Sequence, residues 1–150
     1  MTGSFDVLRE LHATGVRYGR PPEPVPEADP WEEPDPYDHH RSVMVVFPGY
    51  PRVRVTVHDD GEDAVELDSG VAFDVPRRHT AAVVEAILSG RGCYIRETTG
   101  WRAWLAPFLF SDELIVELPD ATYSQYVPWR PDELSAWVTG LPRRRPQERR

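Results

Sequence analysis

Seven of the sixteen prolines fall within residues 20–36, in "RPPEPVPEADPWEEPDP". Proline fixes φ and removes the backbone donor, so neither a helix nor a central strand can run through this stretch. It reads as extended, polyproline-like chain. The 150 residues are thereby divided into a short N-terminal unit (1–19), a proline-rich acidic arm (20–41), a main body (42–142) and an Arg-rich tail (143–150) that is expected to be disordered. Val25 and Trp31 interrupt the polar arm. A free linker has little use for tryptophan, so these two residues are candidates to pin the arm onto the body.

The flanking segments carry regular apolar patterning. In "SFDVLRELHATG" (4–15), Ser4 suits an N-cap, Asp6 favours the first turn, and Gly15 is a stop. Phe5, Leu8 and Leu11, with Val7 beside them, have helical spacing. "SVMVVF" (42–47) and "RVRVTV" (52–57) read as strands joined by "PGYP", the second alternating arginine or threonine with valine. "HDDGED" supplies an Asp-Gly hairpin turn and "AVELD" a third strand, followed by a short strand-like "VAFDV". "RRHTAAVVEAILSGRG" is the strongest helix, with Val83, Val84, Ile87 and Leu88 as its stripe and Gly90 at C′. "CYIRET", "WRAWLA", "ELIVEL" and "TYSQYV" follow as strands, and "PDELSAWVTG" (131–140) as a last helix. The order predicts an α+β fold: a mainly antiparallel sheet of about six strands with two to three helices and the N-terminal arm.

One core serves roughly 100–200 residues, so a single α+β domain over 42–142 is expected. No apolar run approaches the ~18–20 residues that span a bilayer. The start "MTGSFDVLRELHATG" lacks the basic and apolar regions of a signal peptide, so a soluble, cytoplasmic protein is expected. All 17 basic residues are arginine and asparagine is absent, a bias of GC-rich genomes such as those of actinobacteria. The net charge of −8 conceals an asymmetry. Without the tail "RRRPQERR", 12 basic residues face 24 acidic ones, a net of −12. Such a body repels nucleic-acid phosphate and anionic membrane surfaces and attracts basic partners.

The residues that could carry chemistry form no complete set. "WEEPDPYDHH" (31–40) holds four carboxylates and two histidines, but His39 and His40 are adjacent and point apart in extended chain. No H-x-E, HExxH or facial-triad spacing occurs, so the stretch reads as an acidic arm and no metal is expected. "VHDDGED" has the density of a calcium loop without its spacing or its distal glutamate. Cys93 is the lone cysteine; no local hydrolase signature surrounds it, and His79 reads as a helix-flanking residue. No G-x-S-x-G and no phosphate-binding glycine motif is present, so no catalytic residue and no cofactor is assigned.

What remains is surface recognition. The acids Asp59, Asp60, Glu62 and Asp63 share one turn, and Glu32, Glu33 and Asp35 lie on the arm. Trp104 and Trp129 sit near arginines, a pairing typical of interface anchors. These nine residues are the candidate partner-binding set.

"GVRYGRPPEPV", after the first helix, and "VELDSGVAFDVPRRHTAAVVEAIL", a strand, turn and helix, together resemble the small α+β immunity proteins of actinobacterial polymorphic-toxin systems. The resemblance covers about half the chain; the first segment runs into proline rather than into a second helix. It implies a non-enzymatic protein that binds and neutralises one toxin domain, with no catalytic residues. A basic protein partner agrees with the acidic body, because domains that attack nucleic acid are basic where they bind phosphate. The alternative is a small-molecule-binding accessory protein or enzyme of bacterial metabolism. A pocket gathering Cys93, His79 and an acid would favour it.

Overall fold

The computed structural model describes residues 4–24, 42–67, 71–91, 93–95, 112–127 and 143–144. Helix α1 (Ser4–Arg17) comes first. A four-stranded meander follows: β1 (Val43–Phe47), β2 (Val53–Val57), β3 (Glu62–Leu67) and β4 (Val71–Pro76), each antiparallel to the next. Helix α2 (Arg77–Leu88) leads to a second sheet of β5 (Cys93–Ile95), β6 (Asp112–Glu117), β7 (Thr122–Val127) and β8 (Arg143–Arg144), in the order β7-β6-β5-β8. Among the described residues, the β5–β8 pairing alone is parallel. The expected α+β class is the observed one. The expected strand 101–106 and helix 131–140 lie outside the described residues. Arg143 and Arg144, where the disordered tail was expected to begin, pair with β5 instead.

Alternation builds the first sheet. Val53, Val55 and Val57 of β2 are buried while Arg54 is exposed, and β3 and β4 repeat the pattern with Val65, Leu67, Val71, Phe73 and Val75 inside. Period two places one side chain in each pair on the core face. Both helices cover that face. Val83, Val84, Ala86 and Ile87 of α2 join the valines, and Leu114 and Val116 of β6 complete the same core. Each fully buried aliphatic side chain contributes about 1.5–3 kcal/mol. Helix α2 lies against β3, β4 and β6, so it bridges the two sheets. The sheets also meet at their edges, where Gln125 of β7 donates to the Ala72 carbonyl of β4 at 2.9 Å.

The N-terminal helix belongs to this core and is not a separate unit ahead of a domain at 42–142. Val7 and Leu11 are fully buried in the same cluster as the valines. Tyr18 and Arg17 reach across to Glu85 of α2, at 3.0 and 3.3 Å. The apolar stripe is rotated from the expected one: Phe5 is 81% exposed, whereas Val7 faces inward. The helix also runs past Gly15. Its end is a Schellman turn at Gly19 (φ 67°), closed by Arg20 N–H to the Gly15 carbonyl and Gly19 N–H to the Val16 carbonyl. Gly15 serves packing instead: a Cβ there would stand 2.6 Å from the Arg20 carbonyl and 2.8 Å from the Phe47 ring. Helix α2 ends in the same motif at Gly90 (φ 70°), as its sequence predicts.

Candidate functional site

The start of α2 lacks the groups that normally settle a helix N-terminus. Pro76 stands at the N-cap and offers no side-chain acceptor, and the first turn contains no acid. The missing negative charge comes from β3. The Asp63 carboxylate is completely buried and accepts from Thr80 Oγ1 at 2.7 Å, Arg77 Nη2 at 3.0 Å and the His58 backbone N–H at 3.2 Å. A carboxylate held at the positive end of the helix dipole is favourable there. The Gly61 carbonyl accepts the Arg77 N–H at 2.9 Å, so the hairpin turn itself caps the helix. Arg77 then ties three elements together, donating to Ser4 Oγ of α1 at 2.8 Å and to the His58 carbonyl as well as to Asp63. Its Nε is buried without a hydrogen-bond partner, a cost the surrounding bonds offset.

Two residues after Arg77, a second polar group closes the same end of the molecule. His79 is buried, with Nδ1 2.6 Å from the Tyr123 hydroxyl and Nε2 3.0 Å from Asp120 Oδ2. The two rings meet edge to face, centroids 6.0 Å apart. Burial pushes the Tyr123 phenol above its ordinary pKa, with Asp120 adding to the rise and Arg78 opposing it. The phenol therefore stays protonated over a wider pH range than a free tyrosine, with its hydroxyl sharing one hydrogen bond with Nδ1 while Nε2 shares another with Asp120. Asp120 is largely exposed, and it fixes the β6–β7 turn against α2. In chemical terms this is a hydrogen-bonded relay from solvent to a half-buried phenol. Tyr123 is not tuned as a phenolate nucleophile, because nucleophiles are activated by lowered pKa or an adjacent base that takes the proton.

These contacts converge surface acids. Asp59, Asp60 and Glu62 are exposed on the β2–β3 turn, where Asp60 Oδ1 accepts the Glu62 N–H at 3.1 Å. That turn is bonded to the start of α2, Asp120 joins through His79, and Asp6 follows Ser4, which Arg77 holds. Asp6, Asp59, Asp60, Glu62 and Asp120 therefore gather at one end with the exposed Phe5. Among the described residues, Arg9, paired to Asp6 at 3.3 Å, and Arg78 are exposed arginines near these acids.

Asp63 must be removed from the expected surface set. It is 1% exposed and engaged internally, so no partner can reach it. The signal lay in the strand: Asp63 is in phase with Val65 and Leu67, the buried positions of β3. Glu32, Glu33, Asp35, His39, His40, Trp104 and Trp129 lie outside the described residues. Cys93 opens β5, opposite Ile115 of β6. The His79–Asp120–Tyr123 group was not foreseen, since its members are 41 and 44 positions apart and no local motif joins them. Among the described residues, no three His, Cys, Asp or Glu side chains converge as metal ligands, and no helix is long and apolar enough to cross a membrane. The chain has no match among family models, curated proteins or solved structures.

Proposed function

We propose that this chain is a non-enzymatic binding protein that engages a basic protein partner stoichiometrically, in the manner of the immunity proteins its sequence resembles. The observation that carries this reading is the gathering of exposed carboxylates from α1, the β2–β3 turn and the β6–β7 turn around the start of α2, beside the exposed Phe5. Beneath them Asp63, Arg77, Thr80, His79 and Tyr123 bond to one another and tie α1, the β2–β3 turn and the β6–β7 turn to α2. Clustered like charge accelerates encounter with an opposite surface, and an exposed aromatic supplies apolar hold. The full chain, used as bait in the cells that make it, is expected to recover a basic domain at one-to-one stoichiometry. Recovery of an acidic or nucleic-acid partner through the same face would end this reading.

A second reading is favoured by one specific observation, the Asp120–His79–Tyr123 relay, which suits proton transfer to a small molecule. It predicts turnover by the purified chain alone, abolished in His79→Gln. Turnover of that kind would displace the binding-protein reading; silence across substrate panels together with one-to-one capture of a basic domain would retain it.

A further inference from the structure

The start of α1 and the β2–β3 turn are both fastened to one guanidinium. Arg77 Nη1 donates to Ser4 Oγ at 2.8 Å, while Nη2 donates to the His58 carbonyl and to Asp63 Oδ1 at 3.0 Å. The turn side is closed further by the Arg77 N–H on the Gly61 carbonyl at 2.9 Å and by the His58 N–H on Asp63 Oδ1 at 3.2 Å. Ser4 opens α1 and precedes the exposed Phe5 and Asp6, whereas His58 and Asp63 flank the exposed Asp59, Asp60 and Glu62.

This guanidinium has little freedom to lose a partner. The Arg77 side chain is 10% exposed, that of Asp63 is 0% exposed, and Nε is already buried without a hydrogen-bond partner. Guanidinium is planar, so its donors turn together and cannot be re-aimed one at a time. Helix ends are the parts of a fold that open most readily. When the first turn of α1 lifts, Nη1 becomes a second unpaired donor on a buried cation, and an unpaired buried donor costs more than a formed bond contributes. The cation relieves that cost by turning toward water. The same rotation takes Nη2 off the His58 carbonyl and Asp63, and the hairpin turn loses its hold on α2.

We infer that Arg77 is a coupling residue, through which the first turn of α1 and the β2–β3 turn open and close as one unit. Such coupling is reciprocal. A ligand that displaces the acids of the hairpin turn is felt at Phe5 and Asp6, and a contact that holds Phe5 in place steadies the turn. This coupling belongs to the fold and holds whatever the partner.

The test is amide hydrogen exchange on the full-length chain and on Ser4→Ala, which removes the α1 side of the link alone. Three amides report. Leu8, paired with the Ser4 carbonyl by the i→i−4 ladder, reads the start of α1. His58 reads the hairpin turn. Val55, in the middle of the first sheet, is the control for global unfolding. Ser4→Ala should speed exchange at both Leu8 and His58, the latter by about fivefold, the equilibrium value of one net hydrogen bond, with Val55 unchanged. Tyr18→Phe removes the 3.0 Å bond from the far end of α1 to Glu85 and should leave His58 unchanged. In an Arg77→Lys background, where a single ammonium replaces the fork, adding Ser4→Ala should no longer move His58. A His58 amide that keeps its native rate in Ser4→Ala overturns the proposal. An equal rise at His58 in Ser4→Ala and Tyr18→Phe also overturns it, because α1 would then loosen the turn without passing through Arg77. A His58 response to Ser4→Ala that persists in Arg77→Lys does the same. If Arg77→Lys loses the protection of Val55, the comparison of Ser4→Ala with Tyr18→Phe decides alone.

Discussion

Asp63 and His79 both make their contacts at the first turn of α2, and they act differently. Asp63 is an ion buried with its counter-ion, so losing either partner leaves an uncompensated charge in the interior. Asp63→Ala is expected to destabilise the fold by about 3–5 kcal/mol, measured by urea unfolding, and added salt should not mask the loss because the pair is shielded from solvent. The Tyr123 hydroxyl bonds to the buried His79 ring at the start of α2. Tyr123→Phe leaves Nδ1 of His79 without its hydrogen-bond partner and should cost about 1–3 kcal/mol. Its pH signature has a definite sign. The folded-state pKa of Tyr123 lies above the unfolded value, so its contribution is fully present below about pH 10 and is lost as pH rises through the higher folded value. Stability of the native chain should fall in that alkaline window more steeply than that of Tyr123→Phe, as read by denaturant midpoints between neutral and alkaline pH.

At the scale of elements, the two glycines near the end of α1 separate backbone freedom from close packing. Gly19 has φ 67° and nothing near its would-be Cβ, so Gly19→Ala meets only backbone strain, about 1 kcal/mol. Gly15 has no positive φ to protect, but a methyl group there would collide with the Arg20 carbonyl and Phe47. Gly15→Ala is expected to cost about 1–3 kcal/mol by overpacking, despite the better helix propensity of alanine. Thermal unfolding of the pair checks the order, and a more stable Gly15→Ala would show that α1 can move off β1. The meander, the position of α2 and the Gly90 cap were legible because periodicity two, periodicity 3.6 and a C-terminal glycine are local signals. The end of α1 was misread because Gly15 carries the same letter as a helix stop, and only the neighbouring strand shows that its role is proximity.

For the molecule as a whole, charge placement makes a kinetic prediction about the proposed partner. Replacing Asp59, Asp60 and Glu62 by their amides should slow association by about tenfold at low salt and leave dissociation nearly unchanged, with the difference fading as ionic strength rises. Truncating an aromatic anchor, Trp104 or Trp129 among the sequence candidates and Phe5 from the structure, should mainly speed dissociation. Surface plasmon resonance at two salt concentrations separates the two effects, and association indifferent to both salt and charge would remove electrostatic steering from the account.

The sequence by itself determined the class of fold, the strands whose valines alternate, the helix over 77–88 and the excess of negative charge, because each depends on spacing within a few residues or on simple counts. Tertiary structure decided which acids are surface and which are interior. Asp63 and Asp60 are near neighbours in one acidic turn, yet the phase of β3 sends the first beneath α2 and leaves the second in solvent. It also decided that α1 belongs to the core and that His79 meets Asp120 and Tyr123. Those contacts join positions tens of residues apart, and their energy exists only when two helices and two hairpin turns have closed on the same end of the molecule.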